Sequence, residues 1–169
     1  SVAWVDLDAP SVPLSALEGW LSPDERERSG RFRFEIDRCR FVAARGILRS
    51  LLASQVGVPP SNLSIDPDRF GKPRLGACHG SDLRFNVSHT AGRALYAFAS
   101  KRELGVDAEV VRPLPDMDCL ARQVFTAAEL SEWLAVPRPD RGAAFFNGWT
   151  RKEAFVKAYR FFLNFRATT

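Results

Sequence analysis

The sequence predicts an α+β fold, with strands at the centre and helices on both flanks. Three observations lead there. Between Ile36 and Val56, the residues Phe41, Ala44, Ile47, Leu48, Leu51, Leu52 and Gln55 recur at three- and four-residue steps, the period of a long amphipathic helix. From Leu63 to Val110 the texture changes to short alternating segments punctuated by Gly, Pro, Asn and Asp. After Asp116 the signals that start helices return.

Taken in order, Val2 to Leu7 alternates as a short opening strand, with Trp4 expected to anchor it in the core. Ser22-Pro23-Asp24-Glu25 starts a helix: Ser22 caps it, Pro23 fits its first position, and the acids meet the positive end of its dipole. Arg26, Arg28, Arg31 and Arg33 follow at once. Gly57 and Pro59-Pro60 close the long helix. Leu63 to Asp66 reads as a strand and Arg69 to Pro73 as a loop. Leu83 to Ser88, Ala94 to Ala99 and Gly105 to Val110 complete an antiparallel group, with a turn at Ala91-Gly92. Arg112-Pro113-Leu114-Pro115 is the most linker-like stretch. The remainder reads as three helices: Asp116 to Val124, Thr126 to Ala135 with Glu129 completing a capping box, and Asp140 to about Tyr159.

With 169 residues and 46% hydrophobic side chains, the chain can bury one sizeable core or two small lobes sharing a cleft, and it is too apolar to be disordered. No apolar run approaches the roughly 20 residues that span a bilayer, so no membrane partner is expected. Ser1 to Asp6 lacks the basic start of a secretory leader, and Cys39, Cys78 and Cys119 are odd in number and far apart. A cytoplasmic location is expected, without disulfides or a zinc knuckle. Residues 1–102 carry 15 basic against 11 acidic side chains and residues 103–169 carry 9 against 9, so the net charge of +4 sits in the first part. That bias suits an anionic partner such as a nucleotide or an acidic protein. Aromatic and basic residues do not interleave on any readable strand, so nucleic acid is not expected.

Four constellations could carry chemistry. In Gly105-Val106-Asp107-Ala108-Glu109, strand alternation would put both carboxylates on one face about 7 Å apart. They form either an exposed polar face or part of an oxygen site for a hard divalent ion such as magnesium. In Trp149-Thr150-Arg151-Lys152-Glu153-Ala154-Phe155-Val156-Lys157, four-residue spacing aligns Trp149, Glu153 and Lys157 on one helical stripe. That stripe is either a surface ion pair beside a core tryptophan or, if it faces Asp107 and Glu109, a third acid with a proton donor. Asn86-Val87-Ser88-His89-Thr90 at a strand end combines ordinary turn formers with a histidine able to meet phosphate. Phe70-Gly71-Lys72-Pro73 is a stiff turn whose glycine allows a ligand close to the backbone. No P-loop, Rossmann or G-x-S-x-G pattern accompanies them.

The order of these motifs is more specific than any one of them. Gly71-Lys72-Pro73, Phe85-Asn86-Val87-Ser88-His89, Gly105-Val106-Asp107-Ala108-Glu109, Phe125-Thr126-Ala127-Ala128-Glu129 and Trp149 through Ala158 together resemble the motif series of the 4′-phosphopantetheinyl transferases. Arg31-Phe32, Asp37-Arg38 and Ala44-Arg45-Gly46-Ile47-Leu48-Arg49 resemble the amino-terminal half of the larger, Sfp-like class. The resemblance implies two similar lobes in a pseudo-dimer, divided here into residues 1–102 and 103–169, with coenzyme A between them. It implies transfer of phosphopantetheine from coenzyme A to a serine of an apo acyl or peptidyl carrier protein, releasing 3′,5′-ADP. No motif separates polyketide, nonribosomal-peptide and fatty-acid carriers.

Carried over by position, Asp107, Glu109 and Glu153 would hold Mg2+, Lys157 would neutralise or protonate the leaving phosphate, and Glu153, or else Glu129, would accept the serine proton. Lys72 is expected beside the adenine. Arg45, Ser88 and His89 are expected at the 3′-phosphate or pyrophosphate, with Lys152 nearby. Arg28 aligns with a basic position that contacts the 3′-phosphate in relatives, and Glu25 stands where some relatives carry Lys. Relatives follow the Lys-Ala pair with Gly-x-Gly-Leu and further strands. Here Ala158 leads to Tyr159-Arg160-Phe161-Phe162, so the second lobe is expected to be incomplete. A truncation, a gap in the chain or a partner that supplies the strands would each account for it, and the chain is otherwise expected to be a monomer. The alternative function is a fold remnant that binds coenzyme A or a carrier without turnover.

Overall fold

The computed structural model describes residues 1–68 and 71–159. It is a mixed helix and sheet structure, as expected, and two apolar clusters organise it.

The first cluster forms where helices meet a three-stranded antiparallel sheet. β1 (Val2–Asp6) is followed by α1 (Leu14–Gly19), α2 (Pro23–Ser29) and α3 (Glu35–Val56). Ser22 and Glu25 exchange side chain-to-backbone hydrogen bonds of 3.2 and 2.9 Å, which closes a capping box at the start of α2. Gly57 ends α3 in the left-handed conformation at φ 71°. β2 (Ile65–Pro67) and β3 (Pro73–Leu75) form a small ribbon of their own. β4 (Leu83–Thr90) and β5 (Arg93–Ser100) form a hairpin through Ala91 and Gly92, both at positive φ. The sheet order is β1-β5-β4, so β4 is an edge. Phe85, Tyr96 and Phe98 face Val42, Leu48 and Leu52, and the Tyr96 hydroxyl donates to the Ala44 carbonyl at 2.9 Å. Strand alternation turns Asn86 and Ser88 to the other face.

The second cluster is helical. α4 (Met117–Val124), α5 (Ala127–Ala135) and α6 (Arg141–Tyr159) bury Ala121, Trp133, Phe145 and Phe146. The Phe125 and Phe145 rings lie 5.6 Å apart, and Trp133 Nε1 donates to the Arg141 carbonyl at 3.0 Å. Among the described residues no helix is long and apolar enough to cross a membrane.

Three expectations change, and one helix is added. Trp4 is 51% exposed: Ala3 and Val5 take the inward positions of β1, which leaves Val2, Trp4 and Asp6 on the outer face. Gly105 to Val110 is not a strand, because its amides bond side chains of β4 and build no backbone ladder. The loop expected over residues 69–73 ends in β3, while Arg69 and Phe70 lie outside the described residues. α1 was not foreseen; its only helix-starting signal is Pro13. The residues after Tyr159, on which the expected incompleteness of the second lobe rested, also lie outside the described residues.

One buried ion cluster ties α2 to α3. Glu25, 8% exposed, accepts from Arg45 Nε at 2.8 Å and from Arg49 Nε at 2.5 Å. Arg49 also donates to the Pro60 and Leu63 carbonyls at 3.1 and 2.9 Å. Burial alone would raise the Glu25 pKa, but Arg45, the Ser22 amide and Arg49 together hold it below the ordinary carboxylate value of 4.5. A depressed folded pKa contributes stability that is present above 4.5 and lost as the pH falls through the folded value. Glu25→Gln leaves two guanidinium groups without a counter-charge and should cost roughly 3–5 kcal/mol at neutral pH. The thermal melting difference from the wild type should be on the order of 10 °C at pH 7. It should narrow on acidification below pH 4.5.

Candidate active site

The residues singled out in the sequence gather around the end of β4. Ser88 and His89 are neighbours in a strand, so they project to opposite faces. Each meets its own set of groups, and Lys157 acts on both.

On the Ser88 side three stretches of chain converge. Ser88 Oγ donates to Asp107 Oδ1 at 3.0 Å, and Lys157 Nζ donates to the same oxygen at 2.6 Å. Lys157 also reaches Ser88 Oγ at 3.3 Å. The Asp107 side chain is only 6% exposed, and its Oδ2 is buried without a hydrogen-bond partner among the described residues. The segment carrying Asp107 runs beside the edge of β4, with Val106 N–H donating to Asn86 Oδ1 at 2.8 Å and Ala108 N–H to Ser88 Oγ at 3.3 Å. α6 presses on this segment at Gly105, where a Cβ would lie 1.9 Å from the Ala154 carbonyl and 2.6 Å from the Ala158 nitrogen. Only glycine admits that approach, and the approach carries Lys157 to Asp107.

Glu109 and Glu153 border this cluster. Burial first, then Asp107, and lastly Glu153 raise the Glu109 pKa, against the pull of Arg112 and Lys157. Of the expected α6 stripe, Lys157 reaches Asp107, Trp149 packs against the second core, and Glu153 is the last of the charges that act on Glu109. Lys72 stands behind α6: its ammonium donates to the Lys157 carbonyl at 2.7 Å and the Leu104 carbonyl at 3.2 Å, with Glu103 at 3.7 Å.

On the His89 side the groups are basic. His89 is exposed at its outer edge, yet protein atoms crowd the imidazole. Desolvation first, then Lys157, Arg45 and Arg28, depress its pKa. Protonation of the ring is thus disfavoured, in a field of fixed positive charge that favours an anion. Arg45 is aligned by Glu25, and the Arg28 guanidinium lies 5.3 Å from the centre of the Phe41 ring.

Glu129 and Lys152 are placed elsewhere. They pair with each other at 2.8 Å, where α5 meets α6, beside a groove of about 930 Å³ lined by Phe125, Trp133 and Phe155. The Lys152 contact and the Thr126 amide bond lower the Glu129 pKa to about 2. A carboxylate so stabilised is a poor proton acceptor.

The acids fit a hard divalent cation in donor chemistry. All are oxygen ligands, one buried Asp107 oxygen has no donor among the described residues, and burial followed by the Asp107 charge raises Glu109. Among the described residues, no three such side chains are drawn together at metal-holding distance, and the Lys157 ammonium supplies the positive charge at Asp107.

Comparison with known proteins gives the family. Family models described as "4'-phosphopantetheinyl transferase, N-terminal" and "4'-phosphopantetheinyl transferase superfamily" match residues 11–101, more than half of the chain, and residues 103–167. The chain belongs to the 4′-phosphopantetheinyl transferase superfamily. This transferase-family chain is 41% identical over 155 residues to 4′-phosphopantetheinyl transferase HetI of Nostoc sp., covering 91% of the chain and 65% of HetI. It is 29% identical over 150 residues to 4′-phosphopantetheinyl transferase Sfp of Bacillus subtilis, covering 86% and 65%. A phosphopantetheinyl transferase of Thraustochytrium sp. is 30% identical over 169 residues, with 92% and 57% covered. The transferase-family chain thus spans less than two thirds of the length of these relatives.

Sequence reasoning named Ser88, Asp107 and Lys157 but missed Gly105, Asn86 and Glu25 as the residues that place them or their neighbours. The signal for Asn86 was present: it shares a face with Ser88 two residues on. Gly105→Ala should force α6 from the acidic segment. Overpacking of this kind costs roughly 1–3 kcal/mol. A thermal melt should register that loss, and hydrogen exchange should show faster exchange at the Val106 and Ala108 amides.

Proposed function

We propose that the chain transfers 4′-phosphopantetheine from coenzyme A to a serine hydroxyl of an apo acyl or peptidyl carrier protein and releases 3′,5′-ADP. The observation that carries this reading is the convergence of Ser88, Asp107 and Lys157, with Glu109 and Glu153 beside them. The names of the relatives point the same way. Residues 1–102 and 103–169 are taken as parts of two similar lobes of a pseudo-dimer within one monomer, with coenzyme A lying where they meet.

In this reading His89, Arg45 and Arg28 receive the 3′-phosphate, with Ser88 at the pyrophosphate, Lys152 further along α6 and Lys72 at the adenine. Asp107, Glu109 and Glu153 would hold Mg2+, which when bound neutralises the pyrophosphate charge and aligns it for attack. The serine oxygen bonds to the phosphorus that carries pantetheine, and that phosphorus releases its bridging oxygen to the departing 3′,5′-ADP. Glu153 takes the serine proton, directly or through a water; Glu129 is the poorer choice because it is committed to Lys152 and its own helix cap. Lys157 neutralises or protonates the leaving phosphate, and a magnesium ion on Asp107 would free its ammonium for that task.

Incubation of apo carrier proteins with coenzyme A and Mg2+ should add one phosphopantetheine, read by mass spectrometry, and a chelator should abolish the addition. Asp107→Ala should lower turnover by roughly 10²–10³-fold, the scale of losing one transition-state electrostatic contact, while circular dichroism stays unchanged. Absence of transfer to every carrier in a panel refutes the activity; tight coenzyme A binding in that case identifies a binding module.

A further inference from the structure

Asn86 has no part in the proposed chemistry, yet its side chain is committed to the segment that carries the acids. Among the described residues β4 pairs with β5 on one side only. On its open side an added strand would normally exchange backbone hydrogen bonds. Residues 105–110 form no such ladder, and two side chains of β4 take its place. Asn86 Oδ1 accepts from Val106 N–H at 2.8 Å, and Ser88 Oγ accepts from Ala108 N–H at 3.3 Å.

The spacing matches on both partners. Asn86 and Ser88 are two apart on one face of β4, and the amides they receive are two apart on the acidic segment. Asp107 lies between the two bonded amides. Its backbone position is fixed on both sides before its carboxylate meets Ser88 and Lys157. Ser88 is shared among an amide, a carboxylate and an ammonium, whereas Asn86 makes the shorter amide bond. The requirement for an acceptor at Val106 also settles which end of the Asn86 amide faces the segment.

We propose that Asn86 is a positioning residue that sets where the Asp107 carboxylate stands, acting through the Val106 amide. This rests on the proposed transfer reaction for its catalytic consequence and not for its geometry. Binding of coenzyme A through the groups around His89 does not pass through Asn86, so loss of its acceptor should separate turnover from coenzyme A affinity.

The test compares Asn86→Leu, which keeps the shape and removes the acceptor, with Asn86→Asp, which keeps both shape and acceptor. The leucine variant should lower kcat by roughly 10–100-fold, the cost of an ångström-scale misplacement, with KM for coenzyme A within about twofold of wild type. Mn2+ affinity, followed by electron paramagnetic resonance, should weaken about tenfold, as with other partners that orient metal ligands. Hydrogen exchange at the Val106 amide should accelerate. Asn86→Asp should recover most of the turnover and the Val106 protection. If the leucine variant does not fold, Asn86→Ala takes its place. Wild-type Val106 exchange in Asn86→Leu, unchanged Mn2+ affinity, or equal failure of both variants overturns the assignment. The exchange and Mn2+ readings stand even if the wild type transfers nothing, so failure of the reaction and failure of the positioning role are told apart.

Discussion

The ammonium of Lys157 is the point on which the rest of the site depends. It arrives from a helix of the second core, meets an aspartate on an irregular segment, and touches a serine on a strand of the first. A single charge thereby joins three stretches of chain far apart in sequence. Its arrival requires a helix seated against bare backbone, which is what Gly105 permits. The Asp107 carboxylate is buried, and without a cation beside it the cost of that burial would exceed what Ser88 alone can offset. Whatever positive group occupies this place, the protein is built to need one there.

The basic side of the site has its own anchor. Arg45 carries an expected ligand contact, yet its direction is set by Glu25, which also neutralises the buried Arg49. Arg49 in turn holds the carbonyls of the turn after α3. The same carboxylate caps α2, the helix that bears Arg28. Two candidate phosphate-binding arginines thus depend on one acid.

How much was legible in the sequence follows from how local each signal is. The Ser22 cap, the Thr126 capping box, the Gly57 helix end and the Ala91-Gly92 turn depend on a few adjacent residues, and all are found as read. The stripe of Glu153 and Lys157 follows from helical spacing alone. The segment around Asp107 was misread because alternation reports which way side chains point and is silent on what the backbone bonds. Asn86 and Ser88 supply those bonds from another strand. Trp4 was misplaced because a large aromatic residue on an edge strand gives no hint which face is covered. Gly105 was invisible as a contact: a missing Cβ declares itself only when its neighbour is known.

Adjacent positions on β4 serve opposite sides of the sheet, Ser88 turned to the acids and His89 to the arginines. The strand therefore works as a divider whose length in residues is fixed while much of its composition remains free. Gaining or losing one residue inside it would swap the hydroxyl and the imidazole between compartments, and every bond to the acidic segment would fall out of step. Point replacement along β4 keeps that division, whereas a change in its length does not.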